Sequence, residues 1–389
     1  MTEKANTAVI SPDVSLGIIA CNEADSIGAS VESVFQQSLF SRLHERKLTC
    51  EIFCLANGCT DDTADIARKC FDAQAKDHPF KNSFTCRLVN LEERGKLNAW
   101  NIFVHKLSAA QAQWLFLMDG DIIIHHRDTL WNMLVVLLDN PQAVMAVDRP
   151  LKDISLKAKP SVLERISLAT SATTQASGAQ VTGQLYCIRT TAARNIYLPR
   201  DLVACEDGFI KTVIATDFLT CPASSARIMQ ADNASHVFEA YLSMSDILKN
   251  QKRQMMGHTI AHVLVDKFLK GVDIRQRARL GQLICNLERT DPTWLKRLIN
   301  EHMRLTNHCW QLFPGLLWSR FRRLAHVRGM GRLLYFPVAL IGFLVTLVSS
   351  WQAFRALKRG CTNYWPDTKS LRLAQHLSPA ESVHPPLPT

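Results

Sequence analysis

Asp119, Gly120 and Asp121 follow directly on the apolar run Trp114-Leu115-Phe116-Leu117-Met118. Two carboxylates projecting from a strand end are hard oxygen ligands that suit Mg2+ or Mn2+. A metal held there would neutralise a diphosphate leaving group. Taken alone, the triplet reads first as an acidic turn at a strand end. Further polar clusters change its meaning: Cys21-Asn22-Glu23, Asn57-Gly58, Gly95-Lys96 and, much later, Glu206-Asp207. A carboxylate pair can remove a proton from an attacking hydroxyl, or it can simply start a helix and favour its dipole. Asn57-Gly58 by itself reads as a tight turn, and Lys96 by itself as a solvated lysine at a helix start.

These clusters need elements to hold them. Apolar, strand-like runs at 14–20, 50–55, 85–90 and 113–118 alternate with helical spacing at 25–37, 61–71 and 96–107, the second helix with Thr60 as its N-cap. Repeated units of this length predict an α/β fold with a parallel, doubly wound sheet. In such sheets ligands bind beyond the carboxyl ends of the strands, where the four early clusters fall. The second half is less regular. Strands are expected near 146–149 and 181–188, and helices at 162–171, 207–216, 242–268 and 275–287. His125-His126, just past the acidic triplet, reads as a loop.

The combination resembles a known family. Ala20-Cys-Asn-Glu-Ala24, Asn57-Gly-Cys-Thr-Asp-Asp-Thr63, Gly95-Lys-Leu-Asn-Ala-Trp-Asn101 and Asp119-Gly-Asp121, in this order, look like family 2 glycosyltransferases of the GT-A fold. The resemblance runs over about 14–257. It implies a doubly wound, mostly parallel sheet flanked by helices, a nucleotide-sugar donor and a Mg2+ or Mn2+ cofactor. Asn22-Glu23 matches the first motif, with Glu23 near the donor's ribose or base. Asn57 stands where the family often has an acid contacting the nucleobase, so UDP is expected and GDP stays open. Lys96 would pair with the diphosphate as a point charge. Asp121 is the expected direct metal ligand, while Asp119 binds the metal too or contacts the ribose. Glu206-Asp207 matches the acidic pair on the acceptor side, with Asp207 as the base of an inverting transfer and Glu206 in support. Gln184, in Thr182-Gly-Gln-Leu-Tyr186, would reach a sugar hydroxyl or is a plain strand residue. His236 is a third metal ligand or a structural histidine. Processive members carry Gln-x-x-Arg-Trp where this chain has Gln251-Lys-Arg-Gln-Met255. That departure favours transfer of a single sugar, with Arg253 still able to reach the phosphates.

The totals set the surroundings. With 47% apolar and 21% charged residues the chain is globular rather than disordered. The first 13 residues lack a long apolar stretch and do not read as a secretory signal. Twelve scattered cysteines suit reduced thiols in the cytoplasm. The net charge is +10, yet nine of those charges lie between His302 and Pro366, a stretch with no Asp or Glu. A neutral body with one basic, apolar segment points to an anionic membrane surface and away from nucleic acid. The run 333–348 is almost wholly apolar, and whether 333–354 crosses a bilayer or lies on it is open. The expected organisation is a catalytic unit over 1–304, with a nucleotide-binding part at 14–121 and an acceptor part at 122–260. A basic, apolar, membrane-associating helical segment follows at 305–366, then a disordered tail at 367–389. The acceptor would be a saccharide or a lipid-linked precursor, met at the cytosolic face of a membrane. Two competing readings are a sugar-phosphate nucleotidyltransferase and a catalytically silent scaffold. The first usually opens with a Gly-rich, Arg-containing loop that Ala20-Cys-Asn-Glu-Ala24 replaces. The second is opposed by retention of Lys96, both acids of the triplet and Glu206-Asp207.

Overall fold

The computed structural model describes residues 12–157, 181–202, 205–241, 243–312 and 331–362, with 159, 161, 164, 165 and 168 among the positions between. The helix expected at 162–171 and the tail at 367–389 lie outside these, apart from isolated positions in the former.

The first half folds as its apolar runs predict. Strands β1 (Val14–Ala20), β2 (Cys50–Asn57), β3 (Phe84–Leu91) and β4 (Trp114–Asp119) are mutually parallel, in the order β3-β2-β1-β4. Both β1 and β4 are covered on both faces, which is why they read as unbroken apolar runs. Helices α1 (Ile27–Phe35), α3 (Thr63–Asp77) and α4 (Lys96–Ile102) make the crossovers, with a short α2 (Leu39–Glu45) after α1. One boundary moved. Helix α3 starts at Thr63 behind Asp62, not behind Thr60, because the Thr60 backbone N–H donates to Asn22 Oδ1 at 2.8 Å.

Beyond β4 the sheet is no longer parallel. After β5 (Ile123–Ile124), helix α5 (Thr129–Asp139) and β6 (Met145–Lys152), strand β7 (Leu185–Arg189) runs antiparallel between β4 and β6. Strand β8 (Ile228–Phe238) closes the far side, parallel to β6 and antiparallel to β5. The eight-stranded order is β3-β2-β1-β4-β7-β6-β8-β5, a mixed sheet in which the doubly wound pattern covers only the first half.

Side chains alternating across β1 and β4 feed two cores. Leu16, Ile18, Phe116 and Met118 join α1 and α5 on one face, with Ile27, Phe40 and Leu130. Leu115 and Leu117 join Phe53, Trp100, Phe103 and Tyr186 on the other. That second core extends to α6 (Glu206–Ala215), α7 (Met244–His262), α8 (Leu280–Thr290) and α9 (Trp294–Leu305). The last described helix, α10 (Gly331–Lys358), lies along α7 and α9, with Ala353 and Leu357 inside the same core.

Candidate active site

Register brings the early clusters together. Ile19 of β1 pairs with Asp119 of β4, and Ala20 pairs with Ala56 of β2, so three strand ends finish at one level. The Gly120 N–H donates to Ile19 O at 2.8 Å, and a Cβ at position 120 would lie 2.7 Å from that of Ala20. Only glycine lets the acidic turn fold this tightly against β1, which sets Asp119 and Asp121 across from Glu23. Asn22 takes a left-handed backbone (φ 57°), tolerable for asparagine, and ties the β1 loop to Thr60 of the β2 loop.

Lys96, first residue of α4, is the hub. Its Nζ lies 2.7 and 2.8 Å from the two Asp119 oxygens, 3.2 Å from Glu206 Oε1 and 3.2 Å from Gly183 O. An ammonium has three donors, and all three are engaged by the protein. Burial alone would lower the Lys96 pKa, but Asp119 and Glu206 hold the ammonium charged. Lys96 therefore joins the strand-end acids to the acid pair of α6, rather than standing open to a diphosphate. Asn57 supports it from behind: it is 2% exposed, and its Oδ1 accepts from the Gly95 N–H at 3.0 Å.

Of the strand-end acids, only Asp119 is paired with a cation among the described residues. Burial, then the neighbouring Asp121, raises Glu23 to about 8, even though Ser26 Oγ donates to it at 3.0 Å. Burial also raises Asp119, to about 7; Lys96 opposes this and Asp121 adds to it. Asp121 makes no hydrogen bond or ion pair with the described residues. A hard divalent cation is what such a group would accept, so the donor chemistry fits Mg2+ or Mn2+. Among the described residues no three His, Cys, Asp or Glu side chains are arranged to ligate one ion. Asp121, with Asp119, would hold the metal, and substrate oxygens and water would complete its shell.

Facing these across Lys96, α6 opens with Glu206 and Asp207 in its first turn. Their environments push the two apart. Burial would raise Glu206, but Lys96, then a hydrogen bond from its own backbone N–H, then Arg253 of α7 hold it below its ordinary value. Burial raises Asp207 to about 6, with the Glu206 charge adding and the Gly208 N–H, 2.7 Å from its Oδ1, opposing. A carboxylate poised near neutrality beside one that stays charged is the arrangement a general base requires. Gly183 (φ 73°) packs against this pair: a Cβ there would stand 3.1 Å from the Asp207 Cβ.

His236 does not join the strand-end acids. It is fully buried, with Nδ1 2.7 Å from Asp148 Oδ2 and Nε2 3.2 Å from Gln184 Oε1. With both ring nitrogens engaged, the expectation of a third metal ligand gives way to a positioning role. Asp148 and His236 fix Gln184, whose own carbonyl accepts from the Asp119 N–H at 2.8 Å. Asp148 escaped the sequence reading, although an acid directly after Met145-Ala146-Val147 was its signal. Also missed was a hollow beside the β2 and β3 ends, lined by Ala56, Cys59, Asp61, Ala64, Asn90 and Leu91. It offers Asn90 and Asp61 as polar groups, and Asn57 is not among its walls.

Comparison with known families supplies the decision. Residues 15–191 match the family model described as Glycosyl transferase family 2. This segment is a family 2 glycosyltransferase domain. It contains β1 to β7, Lys96 and both acids of the 119–121 turn, and the mixed sheet flanked by helices is the GT-A fold. No curated protein sequence matches the chain. Among solved structures, S. aureus TarS is 14% identical, with a TM-score of 0.40 over 89% of this chain and 55% of its own. This chain thus spans about half the length of TarS. Glucosyl-3-phosphoglycerate synthase from Mycobacterium tuberculosis, in complex with Mn2+, UDP-Glc and phosphoglyceric acid, is 16% identical. Its TM-score is 0.42 over 64% of this chain and 79% of its own. The family 2 match ends before α6, so it does not cover Glu206, Asp207 or Arg253.

Proposed function

We propose that the chain moves a single sugar from a nucleoside-diphosphate sugar to an acceptor hydroxyl, inverting the anomeric carbon. The observation that carries this reading is the pairing of two unlike acid groups across Lys96. Glu23, Asp119 and Asp121 crowd at the β1 and β4 ends, and Glu206-Asp207 stands opposite with split acidities. Asp121 and Asp119 would hold Mg2+ or Mn2+, which when bound neutralises the departing diphosphate. Asp207 takes the proton of the acceptor hydroxyl as it attacks. Glu206 stays ionised and, with Lys96 and Arg253, fixes the charge balance around that base. Gln184, held by Asp148 and His236, bonds a hydroxyl of the transferred sugar. The hollow with Asn90 and Asp61 takes the base. UDP is the expected carrier, and GDP stays open because an amide both donates and accepts. The acceptor is a saccharide or lipid-linked hydroxyl, and the enzyme works on the cytosolic side. The absent Arg-Trp after Gln251 supports single transfer over chain synthesis.

The test is turnover of a panel of UDP- and GDP-sugars by the purified chain with Mg2+ or Mn2+ and with EDTA. We expect one donor to be hydrolysed or transferred only with metal, and Asp121→Ala to abolish this while the fold persists. If every donor is inert, or Asp121→Ala turns over like the parent, the enzyme reading of this site fails.

A further inference from the structure

Helix α10 is built inside out. At 3.6 residues per turn, Thr346, Ser349, Ser350, Ala353 and Leu357 share a sector of about 100°. All five are buried, where α10 lies on α7 and α9. The opposite sector, about 120° wide, carries Leu340, Ile341, Leu344, Leu347, Val348 and Trp351, which are 36–55% exposed. A surface helix in water turns its apolar stripe inward. Small and hydroxyl residues against protein, with large aliphatics outward, is the sorting found where the outer solvent is lipid.

The stripe then changes character. On the same sector, one turn further, come Arg355, Lys358 and Arg359, all exposed. The Arg355 guanidinium sits 4.7 Å over the Trp351 ring and the Lys358 ammonium 5.6 Å over that of Phe354. An apolar face ending in aromatic-backed cations matches an acyl boundary next to anionic headgroups. Two copies pairing through this helix offer no such match, since α10 contains no Asp or Glu to meet those cations. Among the described residues, Ala339–Lys358 is also the one helical stretch long and apolar enough to cross a membrane. Crossing would strip Ser349, Ala353 and Leu357 from their packing on the body, so the helix lies along the surface.

We infer that α10 docks this protein on an anionic lipid bilayer, with the Leu340–Trp351 face in the acyl boundary and Arg355, Lys358 and Arg359 at the phosphates. The test is co-sedimentation of the full chain with vesicles of phosphatidylcholine alone, or containing about 30% phosphatidylglycerol. The parent should partition onto the anionic vesicles. Ile341→Glu with Leu344→Glu should lower that partitioning by roughly tenfold or more. Arg355→Gln with Lys358→Gln should weaken binding to anionic vesicles and leave the weak binding to neutral ones unchanged. Brominated lipid should quench parent fluorescence more than that of Trp351→Phe, a readout that does not need the charged variants to fold. Three results would each overturn the inference. One is no sedimentation with either vesicle, and another is equal partitioning of the Ile341/Leu344 variant. The third is a vesicle-indifferent dimer that this variant dissociates, which would make the face a protein interface.

Discussion

Replacing Lys96 with methionine keeps most of the side-chain volume and removes the one cation shared by Asp119, Glu206 and the Gly183 carbonyl. Removing one partner of a buried ion pair costs about 3–5 kcal/mol, because the remaining charge is left buried. Here two carboxylates are stranded, but they are 19% and 10% exposed, so water relieves part of the penalty. The lower end, about 3 kcal/mol, is the expectation. The sign with pH follows from Glu206. In the parent its folded pKa lies below the ordinary 4.5, so its stabilisation is complete above 4.5 and lost as pH falls through the folded value. Without Lys96, burial dominates and raises that pKa, so the variant loses stability as pH rises above 4.5. The gap between the two proteins must therefore widen from acid toward neutral pH. Denaturant unfolding in EDTA, at steps between about pH 4 and pH 8, reads it directly from midpoints at constant slope. A gap under about 1 kcal/mol near neutrality, or one that does not change with pH, would refute the ion-pair argument.

Two further outcomes follow from the acid pair. Because burial and Glu206 raise Asp207 to about 6, kcat should climb with pH through that value as the base loses its proton. Asp207→Asn should lower kcat by about 100- to 10,000-fold with KM for the donor little changed; an unaltered acid limb in this variant would assign the titration elsewhere. Gly183→Ala forces a left-handed backbone on alanine and sets its Cβ 3.1 Å from that of Asp207. We expect roughly 1–2 kcal/mol of destabilisation together with a fall in kcat. A variant with parent stability and parent rate would show that this strand entry does not position the base.

Much of the nucleotide half was legible in the chain itself. The runs at β1, β2 and β4 are buried on both faces because helices cover both sides of a parallel sheet, and that makes them visible without a structure, whereas β3, at the sheet edge, is only partly buried. Their polar ends marked Glu23, Lys96, Asp119 and Asp121 for the same reason, since parallel strands deliver their carboxyl ends to one edge. The direction of β7 was not legible. Strand periodicity is the same whichever way the neighbour runs, and the antiparallel pairing with β4 is what carries Gln184 to Asp119. Partner choice was equally hidden. Sequence spacing cannot say that Lys96 meets Glu206 across 110 residues of chain, that Asn57 supports Gly95, or that His236 is closed off by Asp148 and Gln184. The sequence by itself determined the parallel α/β half, the acids at its edge and the basic, apolar character of the C-terminal helix. Only the tertiary structure decided which acid keeps its charge, which holds a proton near neutrality and which face of α10 turns outward. Those properties depend on burial and on contacts between residues distant in the chain, and no local pattern encodes either.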